Sequence, residues 1–238
     1  MTTAPPKRER VVIVGKTRMG GGVCVGGIIE ATGRPVRLLP CGGFCHAPDT
    51  AFQVGDIWEM TLRPRPGLQP PHVEDHDEWD AKRIAPMADF LGFIVRAGRP
   101  HVGEPTDLFG GMLQFRNTGS AYLPMVNPLP AWSVEFWVLP RPLTHSAFEN
   151  KHRYRMAGHP GLVVTYVGHE TPVLTIPAGT IVRLSLARWW TNPNAPEEGP
   201  GCALQLSGWL GVPASAPRLR ADPAPPPMGA LLDDDLPF

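Results

Sequence analysis

Proline and glycine set the fold class of this chain, because together they limit how far any regular element can run. The sequence holds 30 prolines and 26 glycines among its 238 residues. Between them stand short apolar runs rich in Val, Ile, Leu and aromatic residues, a pattern typical of strands joined by turns. This pattern disfavours long helices, and we predict an all-β protein.

In the first part of the chain, four runs predict strands, at residues 10–14, 23–25, 36–39 and 57–62. The first two flank Gly20-Gly21-Gly22, which predicts a hairpin at the start of a small barrel or sandwich. Residues 81–97 differ, because their apolar side chains follow helical spacing and predict one short helix. Those side chains are Ile84, Met87, Leu91 and Ile94.

Strand patterns return in the second part, at residues 132–139, 162–167, 173–176, 181–186 and 203–209. After them the chain is rich in proline and poor in apolar side chains, which predicts a disordered linker. The predicted organisation is a flexible arm, two β-domains and a linker with an acidic tip. Their bounds are residues 1–9, 10–98, 99–212 and 213–238.

The formal net charge is zero, but basic residues exceed acidic ones in residues 1–65. Cations near a glycine-rich loop can approach phosphates, and a tryptophan at a strand end can stack on a base. Because adjacent strand residues face opposite ways, we expect one tryptophan of the 189–190 pair outside the core. The candidate contacts to nucleic acid are Lys16, Arg18, Arg34, Arg37, Arg153, Arg155, Arg188, Trp189 and Trp190. The alternative is a solvated surface with structural ion pairs, and burial of both tryptophans.

The last six residues form a compact ligand, in which three carboxylates precede an apolar end. They are Asp233, Asp234, Asp235, Leu236, Pro237 and Phe238. A terminal ring beside a free carboxylate can enter an apolar pocket rimmed by Lys or Arg, and proline lowers the entropy lost on docking. We predict a partner-binding tip; the alternative is an ordinary solvated chain end.

This ending resembles the acidic tip of bacterial single-stranded DNA-binding proteins, with Leu236 where that family usually has Ile. The resemblance implies that the tip recruits enzymes of DNA replication, recombination and repair. It covers only the end of the chain, so it describes a tail and leaves the body undefined.

The body resembles the bacterial dual OB-containing domain family. The motifs that carry this resemblance are residues 11–18, 22–28, 34–37, 54–58, 70–75, 183–190 and 204–209, in that order. The resemblance implies two OB-type small β-barrels, a fold that often binds single strands. It implies no biochemical role of its own.

Two clusters raise the question of an enzyme. Cys41, Cys45 and His46 offer three zinc ligands, but a structural zinc site needs four. The acidic segment 72–78 could hold magnesium for a nuclease, yet successive carboxylates in one segment do not converge on a point. No nucleotide-binding or nucleophile motif is present. We expect neither an enzyme nor a cofactor.

These features together predict a protein that binds single-stranded DNA and recruits DNA-processing enzymes through its tip. Two alternatives stay open: an adaptor whose barrels bind protein, and a metal-dependent nuclease. No apolar run approaches the roughly 18 residues of a membrane span, and the N-terminus lacks the apolar core of a signal peptide. We therefore expect a cytoplasmic protein without a membrane partner, and leave open whether it forms a homo-oligomer.

Overall fold

The computed structural model describes residues 6–148, 151–158, 161–193, 196–213 and 215–219. Five strands form the first domain: β1 (Lys7–Met19), β2 (Gly22–Ile29), β3 (Pro35–Pro40), β4 (Asp56–Pro64) and β5 (Asp75–Pro86). They close into a barrel in the order β1-β2-β3-β5-β4. The β3 and β5 strands run parallel and the other neighbours antiparallel, which is the arrangement of an OB-type barrel.

The β1 strand is buried on both of its faces. Val11 and Ile13 pack inside the barrel, whereas Val12 and Val14 pack in a separate cluster outside it. A strand covered on both faces has a continuous apolar run in place of alternation. The apolar run at 10–14 therefore reflects a second layer of protein against the first barrel.

The predicted helix over residues 81–97 is wrong in its first part. Residues up to Pro86 belong to β5 and pair with β4, and helical turns follow only as α1 (Phe90–Phe93) and a π-helical turn (Ile94–Gly98). Ile84 and Leu91 are 45% and 49% exposed, so the apolar spacing does not mark a buried helical face. Pairing with the long β4 strand outweighs this local spacing.

The second domain begins with short elements and continues into longer strands. The short elements are β6 (His101–Val102), a 3-10 turn (Pro105–Asp107), α2 (Leu108–Gly111), β7 (Gln114–Phe115) and β8 (Ala121–Pro124). The strands that follow are β9 (Val134–Val138), β10 (Leu143–Phe148), β11 (Lys151–Met156), β12 (Leu162–Tyr166), β13 (Thr175–Ile176), β14 (Ile181–Leu186), β15 (Trp190–Thr191) and β16 (Pro200–Leu210). A 3-10 turn (Pro196–Glu198) separates the last two.

The second domain repeats the strand order of the first, with its first strand divided. Antiparallel pairs join β10 to β11, β11 to β12, β16 to β14 and β14 to β9, and β12 runs parallel to β16. The consecutive strands β9 and β10 take the place that β1 occupies alone. Pro140 and Pro142 stand between them, and proline removes the backbone donors that a continuous strand needs. The prediction of an all-β protein with two OB-type barrels is confirmed, with two short α-helices in place of one.

An apolar cluster lies between the two barrels. The first barrel contributes Val12 and Ile28, the second contributes Phe136 and Ile181, and α1 contributes Phe93. Burial of such side chains contributes about 25 cal/mol for each Å² removed from water. The outer face of β14 is therefore packed against the outer face of β1 and β2.

The described chain ends on the second barrel. Leu219 donates a backbone hydrogen bond to Pro172, and Leu174 donates one to Pro217. Residues 215–219 were predicted to belong to the linker, but this segment forms backbone hydrogen bonds with the second barrel. The predicted tip at 233–238 lies outside the described residues. Within the described ranges, no helix is both long and apolar enough to cross a membrane.

Candidate nucleic-acid interface

The outward side chains of β10, β11 and β12 form a polar surface, here termed the open face. Its members are Thr144, Ser146, Phe148, Lys151, Arg153, Arg155 and Thr165, and Val163 lies on the same side but is buried. Tyr154 and Met156 point the other way, into the barrel core. Alternation along β11 therefore puts its three basic side chains on the face that the core does not use.

Arg153 lies at the centre of the open face. It stands between Ser146 on β10 and Thr165 on β12, and its guanidinium carbon is 4.2 Å from the centre of the Phe148 ring. Phe148 is 50% exposed. A guanidinium above an aromatic ring can offer donors to phosphates while the ring remains a stacking surface for bases.

Two arginines of the open face have no carboxylate partner in the described part of the chain. Among the residues that the structure describes, neither Arg153 nor Arg155 forms a salt bridge. Arg155 is exposed between Thr144 and Val163. Such arginines remain available to a polyanion without the breaking of a structural pair.

The β7–β8 hairpin borders the open face. The Val163 nitrogen donates to the Gly119 carbonyl at 2.8 Å, which ties this hairpin to β12. Arg116 stacks over the Tyr122 ring at 4.2 Å and pairs with Glu198 at 2.5 Å. This arginine is already neutralised, so it extends the surface without adding net charge.

The two neighbouring tryptophans are both half-buried. Trp189 packs against the second core and meets the His72 ring edge-on at 6.4 Å. Trp190 lines a small depression beside Arg116 and Tyr122. The two adjacent side chains thus have different neighbours, and both are intermediate in burial.

The basic group predicted on the first barrel is divided among different environments. Lys16 is buried at the boundary between the barrels, and Arg18 lies 5.9 Å from the centre of the Tyr166 ring. Arg34 contacts His76. Lys16 is thus buried, whereas Arg18 and Arg34 are exposed in different surroundings.

Arg37 and Arg188 meet at one carboxylate. Arg37 donates two hydrogen bonds to Asp75, each 2.6 Å long, and Arg188 donates another to the same residue at 2.6 Å. The Asp75 side chain is only 10% exposed. Tertiary structure therefore brings together two predicted contacts far apart in sequence, in a junction between the barrels.

The acidic segment 72–78 belongs to this junction at Glu74 and Asp75, whereas Asp77 pairs with arginines of the first barrel. Glu74 accepts hydrogen bonds from Ser133, and Asp77 pairs with Arg63 and Arg65. Successive carboxylates alternate along β5 and face different partners. No cluster of three metal-ligating side chains suited to an ion occurs in the described ranges.

Burial shifts the pKa of two groups in this segment. It lowers the pKa of His72 to about 4, with the charge of Arg37 acting in the same direction. It raises the pKa of Glu74, although the hydrogen bonds from Ser133 oppose that shift. Burial therefore favours the uncharged form of both groups, which their sequence context alone does not reveal.

Sequence reasoning did not select Phe148 or Arg183. Phe148 ends a strand that lacks a clear apolar pattern, and only its pairing with Lys151 places it beside the basic residues. Arg183 interrupts the apolar run of β14, and this charged residue within an apolar run was the sequence signal that could have identified it. A charged residue inside a buried strand requires a special environment.

Residues 9–209 match the family model of the dual OB-containing domain. No curated protein matches the sequence. A crystal structure of the Ifi202 HINa domain with 20-bp double-stranded DNA gives a TM-score of 0.36 at 7% identity, covering 84% of this chain and 90% of that one. A structure described as "Structural mimicry for functional antagonism" gives 0.35 at 8% identity, covering 85% and 92%. Because both TM-scores are low, neither similarity bears on function.

Proposed function

The chain belongs to the dual OB-containing domain family, and we propose that it is a non-enzymatic protein that binds single-stranded DNA. The open face of the second barrel holds the strand in this proposal. The C-terminal tip recruits DNA-processing enzymes. The observation that supports DNA binding most directly is the half-buried Arg153 held over the exposed Phe148 ring, with the exposed Arg155 beside it. Neither arginine is paired with a carboxylate among the described residues.

We assign DNA binding to the second barrel because the corresponding surface of the first barrel is covered. The outer surface of β1 and β2 at Gly15 and Gly26 is occupied by the Arg183 side chain. The matching strands of the second barrel are β10, β11 and β12, and their outer surface contains exposed residues at Thr144, Phe148 and Arg155. A strand can therefore reach this surface without separating the barrels.

A single strand suits this surface better than a duplex. Unpaired bases present their faces to aromatic side chains, and stacking on such a ring is worth about 1–3 kcal/mol per base. Phe148 can stack only on a base that is not already stacked within a duplex. Arg153 and Arg155 would contact the phosphates, with little dependence on base sequence.

Recruitment of partner enzymes rests on the sequence of the last six residues. Asp233, Asp234 and Asp235 precede Leu236, Pro237 and Phe238. In this proposal the ring enters an apolar pocket and the carboxylates pair with cations at its rim. Enzymes of replication, recombination and repair are the proposed partners.

The direct test is a fluorescence titration of the purified protein with oligo-dT. We expect saturable binding, and we expect the logarithm of affinity to fall linearly with the logarithm of salt concentration. The expected slope is about −0.7 for each phosphate contact. A duplex of equal length should compete poorly.

An adaptor whose barrels bind protein would give a different result. It would show neither a signal change nor a salt-dependent affinity with oligo-dT at low ionic strength. That outcome would remove the DNA-binding proposal while leaving recruitment by the tip intact.

A further inference from the structure

A cavity of about 170 Å³ lies at the boundary between the two barrels. The first barrel forms one wall with Val14, Gly15 and Lys16 of β1 and with residues 53–54. The second barrel forms the other wall with β14, the end of β16 and residues 166–170. The cavity shares no lining residue with the open face.

Arg183 is the most unusual residue of this cavity. It is 9% exposed, and its Nε has no hydrogen-bond partner. Among the described residues it forms no salt bridge, and the nearby acid Glu74 accepts its hydrogen bonds from Ser133. A buried, unpaired cation is costly, and burial lowers its pKa. The fold thus holds a positive charge without a salt bridge among the described residues, although the charge of Glu74 acts on it from a longer distance.

Two glycines make room for the Arg183 guanidinium. A Cβ atom at Gly15 would stand 3.2 Å from three side-chain atoms of Arg183, and a Cβ at Gly26 would stand 2.6 Å from its Nη2. Any side chain at Gly26 would displace the guanidinium. The position of Arg183 is therefore defined by close packing against β1 and β2.

Lys16 supplies a second cation from the opposite wall. It is 8% exposed, and burial lowers its pKa. Its carbonyl accepts a backbone hydrogen bond of 3.0 Å from His169, which also lines the cavity. Burial lowers the pKa of His169, and the charges of Lys16 and Arg18 lower it further. The region around the cavity thus has an excess of positive charge.

Negative charge does not balance these cations from within the cavity. Among the described lining residues, Glu170 has the one carboxylate. Its side chain is 57% exposed and lies 3.9 Å from Arg218. That orientation directs the carboxylate toward solvent and another arginine.

Irregular strands shape both walls. The β1–β2 register shifts between Ile13 and Gly15, and the β14–β16 register shifts between Arg183 and Leu184. Each shift leaves an extra residue, Val14 on one strand and Ser207 on the other, and both line the cavity. Such bulges redirect side chains and are frequent beside binding sites.

We propose that this cavity binds a phosphate group, either as inorganic phosphate or as the terminal phosphate of a nucleotide or DNA strand. A phosphate dianion matches two cations, and its tetrahedral oxygens can accept hydrogen bonds from opposite walls. Arg183 binds through its guanidinium and Lys16 through its ammonium group. The ligand neutralises the charge that the fold leaves unpaired.

The test is isothermal titration calorimetry of the full chain with inorganic phosphate, with dTMP and with thymidine, at constant ionic strength in chloride. We expect one phosphate or dTMP per chain and no binding of thymidine. Lys16→Met and Arg183→Met keep the apolar stem and remove the charge, so each should weaken binding at least about tenfold. Lys82→Met, at an exposed cation of β5, is the matched control and should bind phosphate as the wild type does.

A second comparison distinguishes the two sources of phosphate. Oligo-dT with a 5′-phosphate and oligo-dT with a 5′-hydroxyl are titrated into wild type and Lys16→Met. If the strand end is the source, the 5′-phosphate should strengthen binding only in the wild type. If a free phosphate or nucleotide is the source, inorganic phosphate and dTMP bind while the two oligonucleotides behave alike.

The proposal is overturned if no phosphate compound binds in either comparison, or if Lys16→Met and Arg183→Met both bind phosphate as tightly as the wild type. Should Arg183→Met fail to fold, Lys16→Met decides the outcome alone. If the protein binds phosphate but does not bind oligo-dT, the proposed function is contradicted and the phosphate site is supported.

Discussion

Glu74 and Ser133 connect the two barrels through a pair of hydrogen bonds. The backbone nitrogen of Ser133 donates to one carboxylate oxygen at 2.5 Å, and its hydroxyl donates to the other at 3.0 Å. Both residues are buried. The segment that resembles a nuclease cluster in sequence therefore acts as a clasp between the barrels.

Removal of this clasp should destabilise the protein. Glu74→Ala leaves the Ser133 N–H without a buried partner, so the free energy of unfolding should fall by about 1–3 kcal/mol. Glu74→Gln can still accept from the Ser133 nitrogen and should cost less. Urea denaturation at pH 7 measures both; equal losses would show that the Glu74 charge itself matters more than the hydrogen bonds.

Asp75 should matter more for stability than either arginine bound to it. Asp75→Asn weakens the pairing of Arg37 and Arg188 at once and should lower the free energy of unfolding by about 3 kcal/mol. Arg188→Ala should cost less than about 1 kcal/mol, because that side chain is 48% exposed.

Arg37→Ala distinguishes a structural role from DNA contact. The two hydrogen bonds to Asp75 predict a lower melting temperature with little change in DNA affinity. Thermal unfolding and an oligo-dT titration are read together. Weaker DNA binding at an unchanged melting temperature would restore the sequence-based prediction that Arg37 contacts phosphate.

His72 should make the fold sensitive to acid. Its pKa falls from 6.5 to about 4 on folding, so the unfolded chain binds the proton more tightly. The stability that neutral His72 provides is complete above pH 6.5 and is lost as pH falls toward 4. The loss can reach about 3 kcal/mol.

The variant His72→Gln isolates this effect from other titrating groups. Urea denaturation of wild type and variant from pH 4 to pH 7 gives the difference in stability at each pH. We expect the wild type to lose more stability than the variant on acidification. A difference that stays constant with pH would contradict the assignment.

Substitutions on the open face should distinguish the contribution of charge to DNA affinity from the contribution of base stacking. Arg153→Ala and Arg155→Ala should each weaken oligo-dT binding and reduce the magnitude of the salt slope by about 0.7. Phe148→Ala should lower affinity by about 1–3 kcal/mol for a stacked base, mainly without changing the slope. Lys82→Ala, an exposed cation on β5, is the control. If Lys82→Ala has the same effect as Arg153→Ala, binding is diffuse and the open face is not its site.

Trp190→Ala tests a prediction made from sequence. If Trp190 stacks on a base, its removal lowers affinity by about 1–3 kcal/mol and spares the melting temperature. Because it is half-buried beside Arg116 and Tyr122, we expect a lower melting temperature as well. A fall in the melting temperature with unchanged affinity would assign Trp190 to packing.

Partner binding should depend on the last residue. Deletion of Phe238 should abolish capture of partner enzymes, and one residue added after Phe238 should nearly do so, since both changes disturb the ring and its terminal carboxylate. Single Asp→Asn changes at 233–235 should act mainly on the association rate. Pull-downs compare the full-length protein, the Phe238 deletion and the form with one added residue. If the Phe238 deletion retains all partners, recruitment by the tip is contradicted.

Removal of the tail tests competition with DNA. Residues 220–238 are the segment to delete, because residues 215–219 hydrogen-bond to the second barrel. The deletion removes four aspartates, so oligo-dT affinity should stay equal or rise. Any gain should fade above about 0.3 M salt through screening. A lower affinity would mean that the tail helps to hold DNA.

The sequence alone was sufficient for the strands whose apolar runs are bounded by proline or glycine. The run at 181–186 coincides with β14, and the runs at 36–39 and 57–62 lie within β3 and β4. Burial and turn chemistry act locally in these runs, so local pattern is enough. The ordered motifs of residues 11–209 also pointed to the family.

Tertiary structure decided what local pattern could not. The β5 strand has a mixed acidic and basic sequence, and it is a strand because β4 and β3 pair with it on either side. The apolar spacing at 81–97 predicted a helix wrongly in its first part, because such spacing indicates a buried helical face only where another layer of the protein covers that face. For Ile84 and Leu91 no such cover exists in the described structure.

The same division holds for the candidate sites. Sequence could identify cations and aromatics, but not which cations already have partners. Arg37 is bound to Asp75, Arg183 is buried without a salt bridge among the described residues, and Arg153 is stacked on Phe148. Those outcomes depend on how the second barrel packs against the first, because the strength of a charge interaction is set by the distance and burial of groups that are distant in sequence.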